Sequence, residues 1–209
     1  QSMNTWTGYL QHSTMTWFNN LGHLMVGKTN ISFSNSNTSL LINSYFPPQE
    51  TVWLNLNKER LQFDLVILFL DSLNNKNRIL NFKRYGYKSP RLELGLTELV
   101  LFDYNQISSN ELNYLFPASV LFESEINGSK NANLFYMFDL RYKKNKSTFF
   151  VEFLIDDFAL DNLSPPKLAG KISYYHNLKK ILYGMEYIRI NRWVGNYFNI
   201  EKRMISNNV

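Results

Sequence analysis

Residues 133–158, NLFYMFDLRYKKNKSTFFVEFLIDDF, decide how the rest of the chain is read. They divide into two runs of about ten residues, the length of a membrane-crossing β-strand, around the polar turn Lys143-Lys144-Asn145-Lys146. With Tyr142 opposite Ser147, Leu140 faces Phe149, Phe138 faces Val151, Tyr136 faces Phe153 and Leu134 faces Ile155. Side chains alternate across a strand with period two, so these eight share one side of the ribbon. That side is apolar throughout. The other mixes Asp139, Arg141, Thr148, Glu152 and Asp156 with Phe135, Met137, Phe150 and Leu154. A soluble sandwich turns its charged side to water, whereas a transmembrane barrel turns its apolar side to lipid and keeps charges in the lumen.

Residues 52–69 repeat the asymmetry. Pairing Asn57 with Arg60 across a turn at Lys58-Glu59 sets Leu56 against Leu61, Leu54 against Phe63 and Val52 against Leu65. Residues 78–87 and 91–102 form a third pair across Lys88-Ser89-Pro90. In its second strand Leu92, Leu94, Leu96, Val100 and Phe102 share a face, and Arg91, Glu93, Gly95 and Thr97 share the other. Glu98 falls on the apolar face, which implies either a bulge that shifts the register or a place near the membrane rim. Further on, Leu168, Gly170, Ile172 and Tyr174 alternate with Ala169, Lys171, Ser173 and Tyr175. A last strand from Ile181 carries Tyr183, Met185 and Tyr187 on one side and Gly184 and Glu186 on the other.

Earlier strand candidates cover residues 24–33 and 40–45, the second ending before Pro47-Pro48, which a central strand does not tolerate. Residues 71–77 and 103–130 read as loops, with a short helix over 111–115 after Ser109. The organisation is a lead-in over 1–22, strands and loops over 23–193, and a polar tail over 194–209. About ten antiparallel strands result. The opening Gln1-Ser2-Met3 carries no signal peptide, and the protein is expected to extend beyond these residues.

Composition fits this reading. The 209 residues include 16 Phe, 13 Tyr and 4 Trp, too many aromatics for a disordered chain. The longest apolar run, residues 65–70, is far short of the roughly 20 residues a spanning helix needs. Mean hydropathy is only −0.29, as alternating strands give. The net charge of +5 sits largely at turns (Lys58, Arg60, Lys143, Lys144, Lys146, Lys179, Lys180), which favours solvated turns and an anionic-lipid rim over a nucleic-acid groove.

Motifs for chemistry are lacking. There are no cysteines for disulfides or thiolate catalysis. His12, His23 and His176 have no metal-ligand spacing, and no Gly-x-Ser-x-Gly or phosphate loop occurs. No catalytic residue, metal or cofactor is expected. Asp156 and Asp157 point to opposite faces of a strand, so they mark a strand end rather than a shared ligand pair. Arg91, Glu93, Asp139, Arg141, Glu152, Asp156, Lys171 and Glu186 are the candidate lumen residues. They carry both signs, as in a salt-bridged interior, whereas an ion pathway favours rings of one sign. Leu134, Tyr136, Phe138, Leu140, Phe149, Val151, Phe153 and Ile155 are the candidate lipid-facing set. Trp53, Tyr85, Tyr87, Tyr142, Tyr174, Tyr175 and Trp193 read as an interfacial girdle or as stacking platforms for sugar rings.

The series GHLMVGK…SLLINSYFPP, RYGYKSPRLELGLTELVLFDYNQ, residues 133–158 and YGMEYIRINRW resembles the Wzi-type capsule-assembly family of outer-membrane barrels. The likeness runs in order over residues 22–193, and its most specific pieces are Pro90-Arg91-Leu92-Glu93-Leu94-Gly95 and Leu154-Ile155-Asp156-Asp157-Phe158. It implies an all-β, antiparallel transmembrane β-barrel in the outer membrane of a Gram-negative bacterium, assembling or retaining surface polysaccharide without turnover. Implied partners are outer-membrane lipid, capsular polysaccharide, and other envelope proteins or additional barrel strands, but no nucleic acid. Ser34-Asn35-Ser36-Asn37 stands where the family pattern has a Gly-Pro-Gly-like loop. Family barrels are also larger than 209 residues supply, so more chain, a partner or a smaller closed design is implied. An accessory barrel subunit and a diffusion porin are the competing readings.

Overall fold

The computed structural model describes residues 12–31, 39–41, 47–73, 76–103, 132–156, 167–178, 181–191 and 194. Ten antiparallel strands form one sheet in sequence order: β1 (Ser13–Asn19), β2 (Gly22–Thr29), β3 (Gln49–Lys58), β4 (Leu61–Leu73), β5 (Lys76–Lys88), β6 (Leu92–Asp103), β7 (Ala132–Lys144), β8 (Ser147–Asp156), β9 (Leu168–Leu178) and β10 (Ile181–Ile190). No helix occurs among the described residues. The sheet is open, with β1 and β10 as its edges, so the expected closure into a barrel is not present. β1 lies inside the stretch read as a lead-in. The candidate helix over 111–115 and the girdle residue Trp193 lie outside the described residues, and the described part of the 40–45 candidate, Leu40 and Leu41, is not strand.

The predicted hairpins form, with registers two residues from those expected. Across β7–β8, Tyr142 pairs with Phe149, Leu140 with Val151, Phe138 with Phe153 and Tyr136 with Ile155. The turn is the two-residue Asn145-Lys146, made possible by positive φ at Asn145. Asparagine tolerates that conformation better than most residues, so the strands run up through Lys143 and Lys144. Glu59 plays the same part between β3 and β4, and Leu56 meets Phe63 instead of Leu61. A shift of two keeps every side chain on its face. The predicted sidedness therefore survives the wrong register. The loop expected over 71–77 is replaced by strand continuing to Leu73 and resuming at Lys76, with a register irregularity between Leu70 and Leu73.

Connections of two or three residues join β1–β2, β3–β4, β5–β6, β7–β8 and β9–β10, all at one end, the turn end. The other end holds the long connections 30–48, 104–131 and 157–167, along with the short β4–β5 link. At the turn end each hairpin is set forward of the one before. Gly22 pairs with Leu56 while β3 runs on to Lys58, Leu61 pairs with Tyr87 while β5 ends at Lys88, Leu92 pairs with Tyr142 while β7 ends at Lys144, and Ser147 pairs with His176 while β9 ends at Leu178. One backbone bond repeats at each step: Asn57 donates to Leu21, Lys88 to Arg60, Lys143 to Arg91 and Asn177 to Lys146. With about 3.4 Å per residue and about 4.8 Å between strands, this stagger of about one residue per strand tilts the strands by about 35°.

Two apolar clusters hold the sheet. One lies on the face of Asp139 and Glu152, toward the long loops, and contains Val66, Leu68, Leu80, Phe82, Leu99, Leu101, Phe135, Met137, Leu154 and Ala169. Ile31, Leu40 and Leu41 after β2, and Val194 after β10, pack on it, so the chain itself covers this inner face. The second lies on the opposite, outer face and joins Ile79, Val100, Phe102, Ala132 and Leu134, flanked by Ile67 and Tyr136.

Candidate functional site

The inner face at the turn end is a network of paired charges. Arg84 donates to both oxygens of Asp139, at 3.2 Å from Nε and 2.7 Å from Nη2. Arg141 pairs with Glu93, and Lys88 Nζ stands 4.0 Å from the same carboxylate. Asp64 accepts hydrogen bonds from Trp53, Asn55 and Gln62. Lys171 lies 3.2 Å from Glu186, which also accepts from Ser173 and Tyr175. Glu152 accepts the backbone N–H of Leu40 at 2.9 Å, tying the β2–β3 connection across the face to β8. Gly95 leaves room for the Arg84–Asp139 pair, since a Cβ there would overlap both side chains.

Seven of the eight candidate lumen residues stand on this face: Glu93, Asp139, Arg141, Glu152, Asp156, Lys171 and Glu186. Arg91 does not. It is exposed in the β5–β6 turn, because Ser89-Pro90-Arg91 forms the whole connection and the alternation begins only at Leu92.

The candidate lipid-facing set lies together on the outer face. Phe138, Phe149 and Phe153 are exposed, Leu140, Val151, Ile155 and Tyr136 are half-buried, and Leu134 is buried in the second cluster. Glu98 is mid-strand in unbroken register, so neither a bulge nor a rim position accounts for it. It pairs across the strands with Lys83, and both are buried beside Asn81. Beside this covered patch the open apolar surface takes in the turn half of β3–β7 and the strands β1–β2 and β8–β10, with Phe69 exposed at the other end of β4. Among the described residues 25 large hydrophobics are exposed, and 20 lie on the outer face; Phe18, Leu21, Leu182, Ile188 and Ile190 are the others. An apolar groove of about 720 Å³ runs there between Leu56, Phe63, Tyr85, Leu96 and Phe138.

Aromatic rings collect on this face near the turn end. Phe63 packs on Tyr85, Phe149 on Tyr174, and His176 on both Tyr174 and Tyr183, while Arg60 donates to the Tyr87 hydroxyl at 3.2 Å. Of the girdle candidates, Tyr85, Tyr87, Tyr142 and Tyr174 belong to this belt, whereas Trp53 and Tyr175 point to the inner network.

One constellation escapes sequence reading. Ser147 Oγ and His176 Nδ1 are 2.8 Å apart, with Tyr174 Oη 3.1 Å from the serine and 3.3 Å from the imidazole. Serine on histidine is half of a nucleophilic device. Among the described residues no carboxylate bonds to His176, whose ring instead packs on Tyr183. Only the β8–β9 register, in which Ser147 meets His176, brings the two together. Among the described residues no group of His, Asp and Glu side chains is placed to hold a metal ion. Comparison of the chain with family models, curated proteins and solved structures returns no match.

Proposed function

We propose that this chain forms wall of an outer-membrane β-barrel that serves surface-polysaccharide assembly or retention without enzymatic turnover. One observation carries the barrel reading: the sheet is inside-out for a soluble protein. Asp139, Glu152 and Lys171 are at most 5% exposed, while Phe138, Phe149, Phe153 and Ile172 are at least 42% exposed. Ionisable side chains are rarely buried and large exposed apolar patches mark contact surfaces. Lipid is the solvent that reverses both rules. The turn and loop asymmetry, and a strand tilt of about 35°, at the lower end of the roughly 35–45° of membrane barrels, agree with it.

Open edges at β1 and β10 cannot face hydrocarbon, so additional strands complete the wall, from more of the same polypeptide or from a partner. The packed inner face favours a scaffold over a diffusion pore. The polysaccharide role rests on the sequence resemblance to the Wzi-type family. Heat-modifiable gel mobility tests the barrel, since equal migration of boiled and unboiled protein would refute it. Deleting the gene and staining for capsule tests the role, and unchanged surface polysaccharide would refute that.

A further inference from the structure

We infer that the turn end is a docking ring for anionic phospholipid headgroups of the membrane leaflet it meets; the inference rests on the barrel reading. The three turns β3–β4, β5–β6 and β7–β8 bring together Lys58, Arg60, Lys88, Arg91, Lys143, Lys144 and Lys146, all exposed. Glu59 is their only exposed acidic neighbour in those turns. Seven cations against one acid give +6, whereas the whole chain carries +5, so everything else sums to −1. The opposite end is mixed, with Lys28, Glu50, Arg78, Asp156 and Lys167. The protein's basicity is therefore a property of one rim. The β9–β10 connection adds Lys179 and Lys180 in sequence.

Position identifies the ligand. The cations stand directly beyond the aromatic belt of the outer face, and Arg60 bonds to the belt's Tyr87 hydroxyl. Aromatic side chains settle at headgroup depth, and cations just past them meet the phosphates. A nucleic-acid or soluble polyanion site needs no adjoining apolar band, whereas here the charge is continuous with one. Each cation near an anionic surface is worth about fivefold in binding, and the effect fades within a Debye length.

The test takes the protein extracted from its native membrane together with the strands that close its wall, unfolds it in urea and refolds it into vesicles of phosphatidylcholine, alone or mixed with phosphatidylglycerol, at low and high salt. Insertion is read as the heat-modifiable band and its rate. The expected result is faster and tighter insertion into the anionic vesicles, cancelled by salt. The triple variant K143Q/K144Q/K146Q should lose on the order of 10²-fold in that preference, K143R/K144R/K146R should keep it, and K28Q/K167Q should leave it unchanged. Insertion into both vesicles without lipid preference would overturn the ring and leave the barrel standing. Failure to insert into either would overturn both. Unaltered lipid preference in the glutamine variant, with lost binding to a soluble acidic polysaccharide, would make the rim a sugar site instead.

Discussion

Gly95 lies across β5–β6 from Gly86, beneath the guanidinium of Arg84, and replacing it with alanine puts a methyl group where Arg84 and Asp139 meet. The overlapping atoms are ends of flexible side chains, so the steric part is relieved by moving them. What is lost is the two-point geometry of a pair whose side chains are 8% and 7% exposed. Removing one partner of a buried ion pair costs about 3–5 kcal/mol. Gly95→Ala leaves both charges present and able to re-pair in part, so about 2 kcal/mol is expected. Asp139→Ala should reach about 3–4 kcal/mol, because Arg84 is left buried without its carboxylate. The double variant should cost less than the two together, since the methyl then has no ion pair left to disturb. Gly170→Ala is the control: its Cβ would meet only Glu152 O at 4.0 Å, and a change within about 0.5 kcal/mol is expected. The assay is the urea midpoint in a bilayer, followed by tryptophan fluorescence. A neutral Gly95→Ala, or strict additivity with Asp139→Ala, would refute the reasoning.

Other substitutions probe other parts of the sheet. Glu186→Gln takes a carboxylate away from the fully buried Lys171 and should cost about 3 kcal/mol, while Lys171→Met leaves behind a Glu186 carboxylate that water reaches and should cost clearly less; equal or reversed losses would count against the pairing. Glu152→Ala should speed hydrogen exchange at the Leu40 amide, and an unchanged rate would mean that the β2–β3 connection is held elsewhere. Phe153→Lys on the open outer face should cost about 2–4 kcal/mol in a bilayer, against about 0.5 or less for an exposed position in water. Ser147→Ala should lower stability by about 1 kcal/mol or less; loss of an esterase activity would instead make the Ser147–His176 contact catalytic.

Sidedness was legible in the sequence because period two survives a register error of two, as Leu140 and Phe149 show by keeping their face while changing partners. The turns were harder. Asn145 and Glu59 enter the left-handed region without glycine, and nothing in Lys143-Lys144-Asn145-Lys146 marks a two-residue connection. The salt-bridged face was readable as a set of opposite charges, but its pairing was not, since Arg84–Asp139 spans 55 residues and needs the registers of β5, β6 and β7 together. Glu98 was visible as an exception, yet its partner Lys83 appears only when β5 is laid beside β6. The cationic turns were visible one by one as candidates for an anionic-lipid rim, but not their grouping. Lysines and arginines scattered through three turns distant in sequence come to one end of the sheet only through the topology.

The account's central claim is that the outer face meets lipid. The chain has no cysteine, so single cysteines can be placed along β8 from Phe149 to Ile155 and carry a fluorophore in a reconstituted bilayer. Labels at Phe149, Val151, Phe153 and Ile155 should be quenched by a lipid-borne quencher, and labels at Phe150, Glu152 and Leu154 should be protected. Quenching of the Phe149, Val151, Phe153 and Ile155 labels by a water-soluble quencher instead, or the loss of period two, would contradict the account.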